Sequence, residues 1–390
     1  MNVAQSMDAS QAISLLQVYA EDRNYAGYDP YDALNSPLMP VLSLGTRAGR
    51  IAWTQLLRRL PINIRPLLLI RPGHNPKALG LFLEGHVKLF QATQQDEYAT
   101  KALAMLPLLR KCRSTNCHGN GWGYNFEWQS RTFRIPKFTP TVVNSSFIGH
   151  ALLDAADILK SQEAMDLAVP IKEFILQDLN RIAEKDAFCF SYTPIDHYAV
   201  HNANLLGASL LIRLWKATGE AQLRDAALSA LAYSMKHQCD DGAWFYSQND
   251  GSHWIDSFHT GFDLEAIRHF LRLGEAAEYE RGYTKGVQYY ASHFFLDDGT
   301  PKYYHDRVYP IDIHAPAEAI CFFVSEGGHA ALVDRVLAWM LDNMADRRGF
   351  FYFRKGRFLT NNIPYMRWGQ AWAFRALAAY QAADQLNGGV

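Results

Sequence analysis

"DDGAWFYSQNDGSHWIDSFHTGFDLEAIRHFL", Asp240 to Leu271, holds three parts in a fixed order. A short aromatic run follows Asp-Gly, a polar loop with His and Asp comes next, and an apolar helix with small residues closes the stretch. The same order returns roughly every 50 to 70 residues, a period that marks a repeat architecture. It is found in "AFCFSYTPIDHYAVHNANLLGASLLIRL" (Ala187–Leu214), "DDGTPKYYHDRVYPIDIHAPAEAICFFV" (Asp297–Val324) and "RRGFFYFRKGRFLTNNIPYMRWGQAWAFRAL" (Arg347–Leu377). Between the units lie second helices with ordinary amphipathic spacing, near 164–182, 220–238, 275–294 and 328–344.

Working outward, inner helices are expected near 78–94, 144–160, 201–218, 257–273, 312–326 and 364–383. The outer set adds 96–110, and a helix within 10–21 or 46–60 supplies the sixth partner. No interior run alternates long enough for a core sheet, so the aromatic runs are at most hairpin strands. The inner helices are apolar nearly all round, as "ANLLGASLLIRL" and "QAWAFRALAAY" show, and need neighbours on every side. Gly149, Gly207, Gly261 and Gly369 allow close approach at a crowded axis. A closed ring of six hairpins satisfies these demands better than an open solenoid. The expectation is an all-α (α/α)6 toroid over residues 46–390, with short aromatic hairpin loops on one rim. Residues 1–45 are expected as an extension packed on the barrel.

Composition sets the outer bounds. The 390 residues are 49% hydrophobic, 13% aromatic and 20% charged, with a net charge of -1. That is enough apolar material for a large core. Near-neutral charge without a basic stripe argues against nucleic-acid binding. No stretch approaches the roughly 18 to 20 apolar residues that span a bilayer, and the N-terminus does not read as a signal peptide. Five widely spaced Cys suit reduced thiols, hence an expected cytoplasmic location. Neither a cofactor nor a metal is expected, and the oligomeric state stays open.

In a hairpin ring the outer-to-inner loops emerge on one rim, so distant aromatic segments converge on one mouth. "GWGYNFEWQSRTFRIPKFTPTVVNSSFIGHALL" (Gly121–Leu153) supplies Trp122, Tyr124, Trp128, Arg131 and Asn144. Later loops add Tyr192, Trp244, Tyr246, Tyr304, Tyr352, Arg367 and Trp368. Rings that stack on pyranose faces, beside groups that bind hydroxyls, make a sugar-binding surface, with plugging of the ring's end as the structural alternative.

Two chemistries compete there. Glycosidic cleavage needs two carboxyl groups about 5 to 9.5 Å apart. Asp256 and Asp312, each just ahead of an inner helix, are the best pair, with Asp196 a third candidate and plain N-capping the alternative role. Glu265 and Glu318 stand one or two turns into the same helices, facing either the axis or the seam between helices. Alternatively, His201, His259 and His314 precede or open three inner helices. Imidazoles on opposite faces of a sugar can move a proton off carbon and back, which is epimerisation or isomerisation. Arg131 or Arg367 would then hold a carboxylate or the enediolate.

With the repeat identified, residues 46–385 resemble the (α/α)6-toroid carbohydrate enzymes: six-hairpin glycosidases, unsaturated glucuronyl hydrolases and sugar epimerases. "TPTVVNSSFIGHALLDAADIL" (Thr139–Leu159) is similar to the helical domain of glucuronyl C5-epimerases, and Tyr124, Asn144 and Arg131 belong to that likeness. The His-Pro-Gly-His stretch of N-acylglucosamine-type epimerases is missing. "NCHGNGWG" resembles half of the zinc site of lanthionine-forming cyclases, without the Cys-Tyr-Gly element that completes it. The resemblance implies a glycan or uronic sugar as substrate and does not choose between cleavage and epimerisation; the carboxylate pair puts hydrolysis ahead of epimerase or lyase chemistry. A non-catalytic glycan-binding protein of a cell-surface polysaccharide pathway is the third class.

Overall fold

The last inner helix packs against the first, and this closes the chain into a ring. The computed structural model describes residues 7–129 and 134–388. Helix α1 (Ala9–Glu21) leads into a rim segment that holds α2 (Met39–Leu42) and α3 (Arg47–Arg59). The first hairpin pairs inner α4 (Pro76–Thr93) with outer α5 (Asp96–Leu103) and α6 (Met105–Lys111). The second pairs α7 (Val142–Ile158) with α8 (Gln162–Ala168) and α9 (Ile171–Glu173). Then come α10 (His201–Thr218) with α11 (Ala221–Lys236), and α12 (Ser257–Arg272) with α13 (Glu280–His293). Inner α14 (His314–Glu326) with outer α15 (Ala330–Met344), and finally inner α16 (Trp372–Gly388), complete the series.

Inner helices touch in the order α4, α7, α10, α12, α14, α16 and back to α4, while α1 packs on α16 and α15 as the sixth outer helix. Of the two N-terminal stretches able to supply that partner, 9–21 does so. The architecture is an (α/α)6 toroid. Inner residues are buried all round, as the lack of a polar stripe requires. A Cβ on Gly149 would stand 2.6 Å from Leu210 Cδ2, and one on Gly261 2.5 Å from Glu318 Cγ, so both positions are reserved for close helix approach. Gly369 differs from that expectation: the nearest atom to its Cβ position, Phe351 O, is 3.5 Å away.

Strands are short and lie in the loops. β1 (Trp128–Gln129) pairs with β2 (Arg134–Ile135), and β3 (Arg181–Glu184) with β4 (Ala187–Phe190). β5 (Ile311–Asp312) pairs with β8 (Arg354–Lys355), which pairs with β9 (Thr360–Asn361). β6 (Ala345–Asp346) pairs with β7 (Phe350–Phe351).

The aromatic runs recur because each one caps its neighbour's inner helix. A helix leaves its first N–H groups without intrahelical partners. Here Val142 N donates to Tyr192 O (3.0 Å), His201 N to Tyr246 O (3.2 Å), Ser257 N to Tyr303 O (2.9 Å) and Ile313 N to Phe353 O (3.2 Å). Met366 N, just ahead of α16, donates to Tyr28 O (3.2 Å), which brings the rim segment into the same collar. Each aromatic residue thereby stands at the mouth beside the helix after which the next repeat begins.

Below the mouth the axis is filled in layers. Phe147, Phe262 and Trp372 meet ring to ring, with centroids 5.0 to 5.3 Å apart. Beneath them Arg375 binds three glutamates from three helices: Glu84 Oε2 at 2.8 Å, Glu265 Oε1 at 2.6 Å and Glu318 Oε2 at 3.2 Å. Glu265 and Glu318 therefore face the axis, not the seam. Deeper still, His150 stacks on His269 with centroids 4.7 Å apart.

Candidate active site at the mouth of the toroid

Helix α12 begins at Asp256, and this N-cap does more than cap. Its Oδ1 accepts from His259 N (3.1 Å), while Oδ2 accepts from His259 Nδ1 (2.7 Å) and Trp254 Nε1 (3.0 Å). With a carboxylate as acceptor, His259 carries its proton on Nδ1 and its lone pair on Nε2. Nε2 makes no hydrogen bond among the described residues, and the imidazole is partly open to solvent. The ring of Tyr246 lies 4.7 Å from that imidazole and is itself stacked on Trp254 at 4.5 Å.

His314 opens the neighbouring helix α14. Its ring lies 4.2 Å from Trp368 and 4.8 Å from Trp372, and both nitrogens are buried without a partner. Burial, then Lys77, Arg367 and His259, hold its pKa well below the ordinary imidazole value. This imidazole is neutral. Asn144 in the first turn of α7 and Trp372 Nε1 also have buried polar atoms without partners. Buried polar groups are normally satisfied, so such a cluster at the bottom of one mouth marks where a polar ligand binds.

The two candidate carboxylates are both fully occupied. Asp312 Oδ1 accepts from Trp368 Nε1 (2.7 Å) and His314 N (3.2 Å), and its Oδ2 accepts from Arg354 Nη2 (2.7 Å) and Nε (3.2 Å). Asp256 serves His259 and Trp254. Asp196 is buried in a turn, where Thr193 N (2.6 Å) and Thr193 Oγ1 (2.5 Å) donate to its Oδ2. His201 is buried too, between Ser234 Oγ (3.1 Å from Nδ1) and Gln248 Nε2 (2.9 Å from Nε2). Asp196 and His201 brace loops.

Of the expected platforms, Tyr124, Tyr192, Tyr246 and Trp368 come together. Tyr124 OH meets Tyr192 OH at 2.8 Å, and the Arg367 guanidinium lies 5.1 Å from the Tyr124 ring and 4.9 Å from that of Trp368. Tyr304 lies at the rim, its ring centre 4.5 Å from that of Tyr303 and tilted 60° to it. Trp122 and Trp244 are not platforms: both are buried, with their indoles donating to Leu109 O (2.8 Å) and Ser234 O (2.9 Å). Tyr352, between β7 and β8, donates to Asp346 Oδ2 (3.1 Å). Trp128 sits half-buried on β1, and Arg131 lies outside the described residues.

Sequence reasoning placed residues 1–45 on the barrel but missed their part in the rim. Asp29 grips Arg367 at two points, Oδ2 to Nε at 2.6 Å and Oδ1 to Nη2 at 2.8 Å. Tyr31 lays its ring 5.3 Å from Trp368, and Asp32 is anchored by Arg65 (2.6 Å). This strap crosses part of the mouth. Its signal was the aromatic and acidic stretch "YAGYDPYD" (Tyr25–Asp32), which follows the same composition as the other rim loops. Lys77 was also missed, because one lysine at a helix start carries no pattern.

Among the described residues no group of three or more His, Cys, Asp or Glu is placed to hold a metal ion, and His118 is paired with Asp178 (2.6 Å). No helix among them is long and apolar enough to cross a membrane.

No family model matches the chain, and no curated protein matches it in sequence. Solved structures do. Cellobiose 2-epimerase from Bacillus thermoamylovorans is similar at 13% identity, over 95% of this chain and 98% of that one, with a TM-score of 0.63. A GH76 alpha-mannanase from Bacteroides thetaiotaomicron is similar at 13% identity, over 79% and 86%, with a TM-score of 0.60. D-mannose isomerase is similar at 12% identity, over 80% and 86%, with a TM-score of 0.54. At such identities these likenesses establish the shared toroid.

Proposed function

We propose that the chain is a sugar epimerase or isomerase that moves a proton at the carbon next to the carbonyl of a neutral reducing sugar. The observation that carries this reading is the His259–Asp256 dyad, whose Nε2 lone pair is left free at the mouth. Nε2 takes the proton from carbon, and Asp256 stabilises the imidazolium that forms. Charge then develops on the carbonyl oxygen. Neutral His314, with an N–H to donate and no other partner, is suited to polarise that oxygen.

Hydrolysis by Asp256 and Asp312 is supported less well. A general acid needs a proton to give and a general base a free lone pair, whereas these two carboxylates are committed to Trp, His and Arg donors. A neutral sugar is favoured over a uronate because Asp29 already occupies the fork of Arg367. The toroid shared with cellobiose 2-epimerase and D-mannose isomerase supports the reading; the mannanase shares it too and does not discriminate.

The test is incubation in deuterated water with D-glucose, D-mannose and cellobiose. The expected result is solvent deuterium on carbon beside the carbonyl, with a new epimer or ketose. Hydrolysis of a glycoside panel with no exchange into any reducing sugar would overturn the reading.

A further inference from the structure

Lys77 is the second residue of α4, and only 4% of its surface is exposed. Its Nζ lies 4.1 Å from the ring centre of Phe147, 5.1 Å from Trp372 and 5.3 Å from Phe262. It makes no hydrogen bond or ion pair among the described residues. A permanently charged ammonium would be expected to find acceptors when buried this deeply. In the ring of six inner helices α4 lies directly opposite α12, since each is three places from the other along the cycle of contacts. Lys77 and His259 both belong to first turns, so their backbones stand at the mouth end of opposite walls. His314, on the helix next to α12, feels both of them electrostatically.

We infer that Lys77 is the second acid–base group of the site, serving the face of the sugar opposite to His259, and that the reaction is therefore epimerisation at carbon 2. This rests on the reading of the mouth as a site of proton transfer next to a sugar carbonyl. In one direction His259 Nε2 takes the proton from carbon 2, and the C–H electron pair becomes the C1–C2 double bond. The carbonyl oxygen takes up the charge against His314. The Lys77 ammonium then gives a proton to carbon 2 from the other side, and the carbonyl re-forms. Lys77 ends neutral and His259 protonated; exchange with water resets the pair. In the other direction the neutral amine is the base, and the ammonium it becomes sits among three aromatic faces that attract a cation. Burial, with Arg367 second, lowers the proton affinity of this amine. Both protonation states thus come within reach of one site.

Two bases leave a signature that a structural lysine does not. The probes are D-glucose with D-mannose, and cellobiose with its 2-epimer, in deuterated water. At early times the wild-type protein is expected to put deuterium into the product epimer while recovered substrate keeps its proton. Lys77→Met, which suits an aromatic box, is expected to slow exchange from one epimer by about 10²-fold or more and to leave the other within about tenfold. It should form almost no epimer. Equal loss from both epimers in a variant that melts like the wild type would overturn the assignment, as would epimerisation by Lys77→Met within about tenfold of wild type. If Lys77→Met does not fold, the wild-type labelling decides alone: proton carried from substrate into product means one base and rejects Lys77. Exchange without epimerisation in the wild type would reject Lys77 and keep the reading of the mouth. No exchange into any probe would reject both.

Discussion

Arg375 Nε donates to Glu84 Oε2 at 2.8 Å although the two residues are 291 positions apart. This contact joins the last inner helix to the first and places a guanidinium on the axis, where Glu265 and Glu318 also reach it. The three carboxylates do not share it equally. Burial is the largest influence on both, yet Arg375 and Arg268 hold Glu265 below the ordinary carboxylate value, whereas burial and Glu265 hold Glu318 well above it. Of the two, Glu318 is the one held toward its protonated form.

Substitutions should separate these roles. Arg375→Met leaves buried carboxylates without a counter-charge and is expected to cost about 3 to 5 kcal/mol. Glu265→Gln should also destabilise strongly. Glu318→Gln copies the protonated acid and should change stability by less than about 1 kcal/mol. Urea unfolding of the three variants checks this; a Glu318→Gln loss as large as that of Glu265→Gln would mean Glu318 is ionised.

Asp256→Asn isolates the dyad, because Asn caps a helix about as well as Asp. An amide turned donor-first toward Nδ1 forces the proton onto Nε2 and removes the base. The expected loss in kcat is about 10²- to 10⁴-fold, with KM within about threefold. Steady-state kinetics beside a melting curve tests it. A kcat within about threefold of wild type would remove His259 from the chemistry.

Stability should fall as the solution is acidified. Burial, with His237 a smaller influence, pushes His201 down to about 3, and burial with Lys101 does the same to His86. The unfolded imidazoles titrate near about 6.5. Between those values the unfolded chain binds protons that the folded chain refuses, so unfolding becomes easier as pH drops, by up to about 1.4 kcal/mol per unit for each residue. His201→Gln keeps polar partners for Ser234 and Gln248 and removes one titration. Its stability should therefore depend less steeply on pH between about 6 and about 4 than that of the wild type. Chemical denaturation across that range tests this, and parallel slopes would contradict it.

Tyr31 sits on Trp368 and narrows the mouth. Tyr31→Ala should raise kcat/KM for a trisaccharide relative to a monosaccharide by about tenfold, since a pocket wall discriminates by steric exclusion. An unchanged ratio would mean the strap lies clear of the substrate's path.

The candidate site was only partly legible in the chain. Asp256, His259, His314 and Trp368 stood out because each precedes or opens an inner helix, a position that the repeat alone fixes at the mouth. Trp122 and Trp244 share the same loop composition yet face the core, since an indole in a loop is equally at home under a helix when its N–H finds a carbonyl. Asp312 matched the position of Asp256, but Arg354 and Trp368 reach it across the collar from another repeat.

The toroid follows from the residue pattern alone. Helices without a polar face, recurring in register with aromatic loops, have few ways to bury themselves other than around a common axis. Which side chains stand free at the mouth follows from the fold in three dimensions. Whether a carboxylate is a free acid or a bound anchor depends on donors that arrive from far along the chain, and so does the placing of Lys77 opposite His259. Those encounters depend on how the ring closes, because closure sets which side chains share the low-dielectric space at its centre, and no local pattern of residues encodes it.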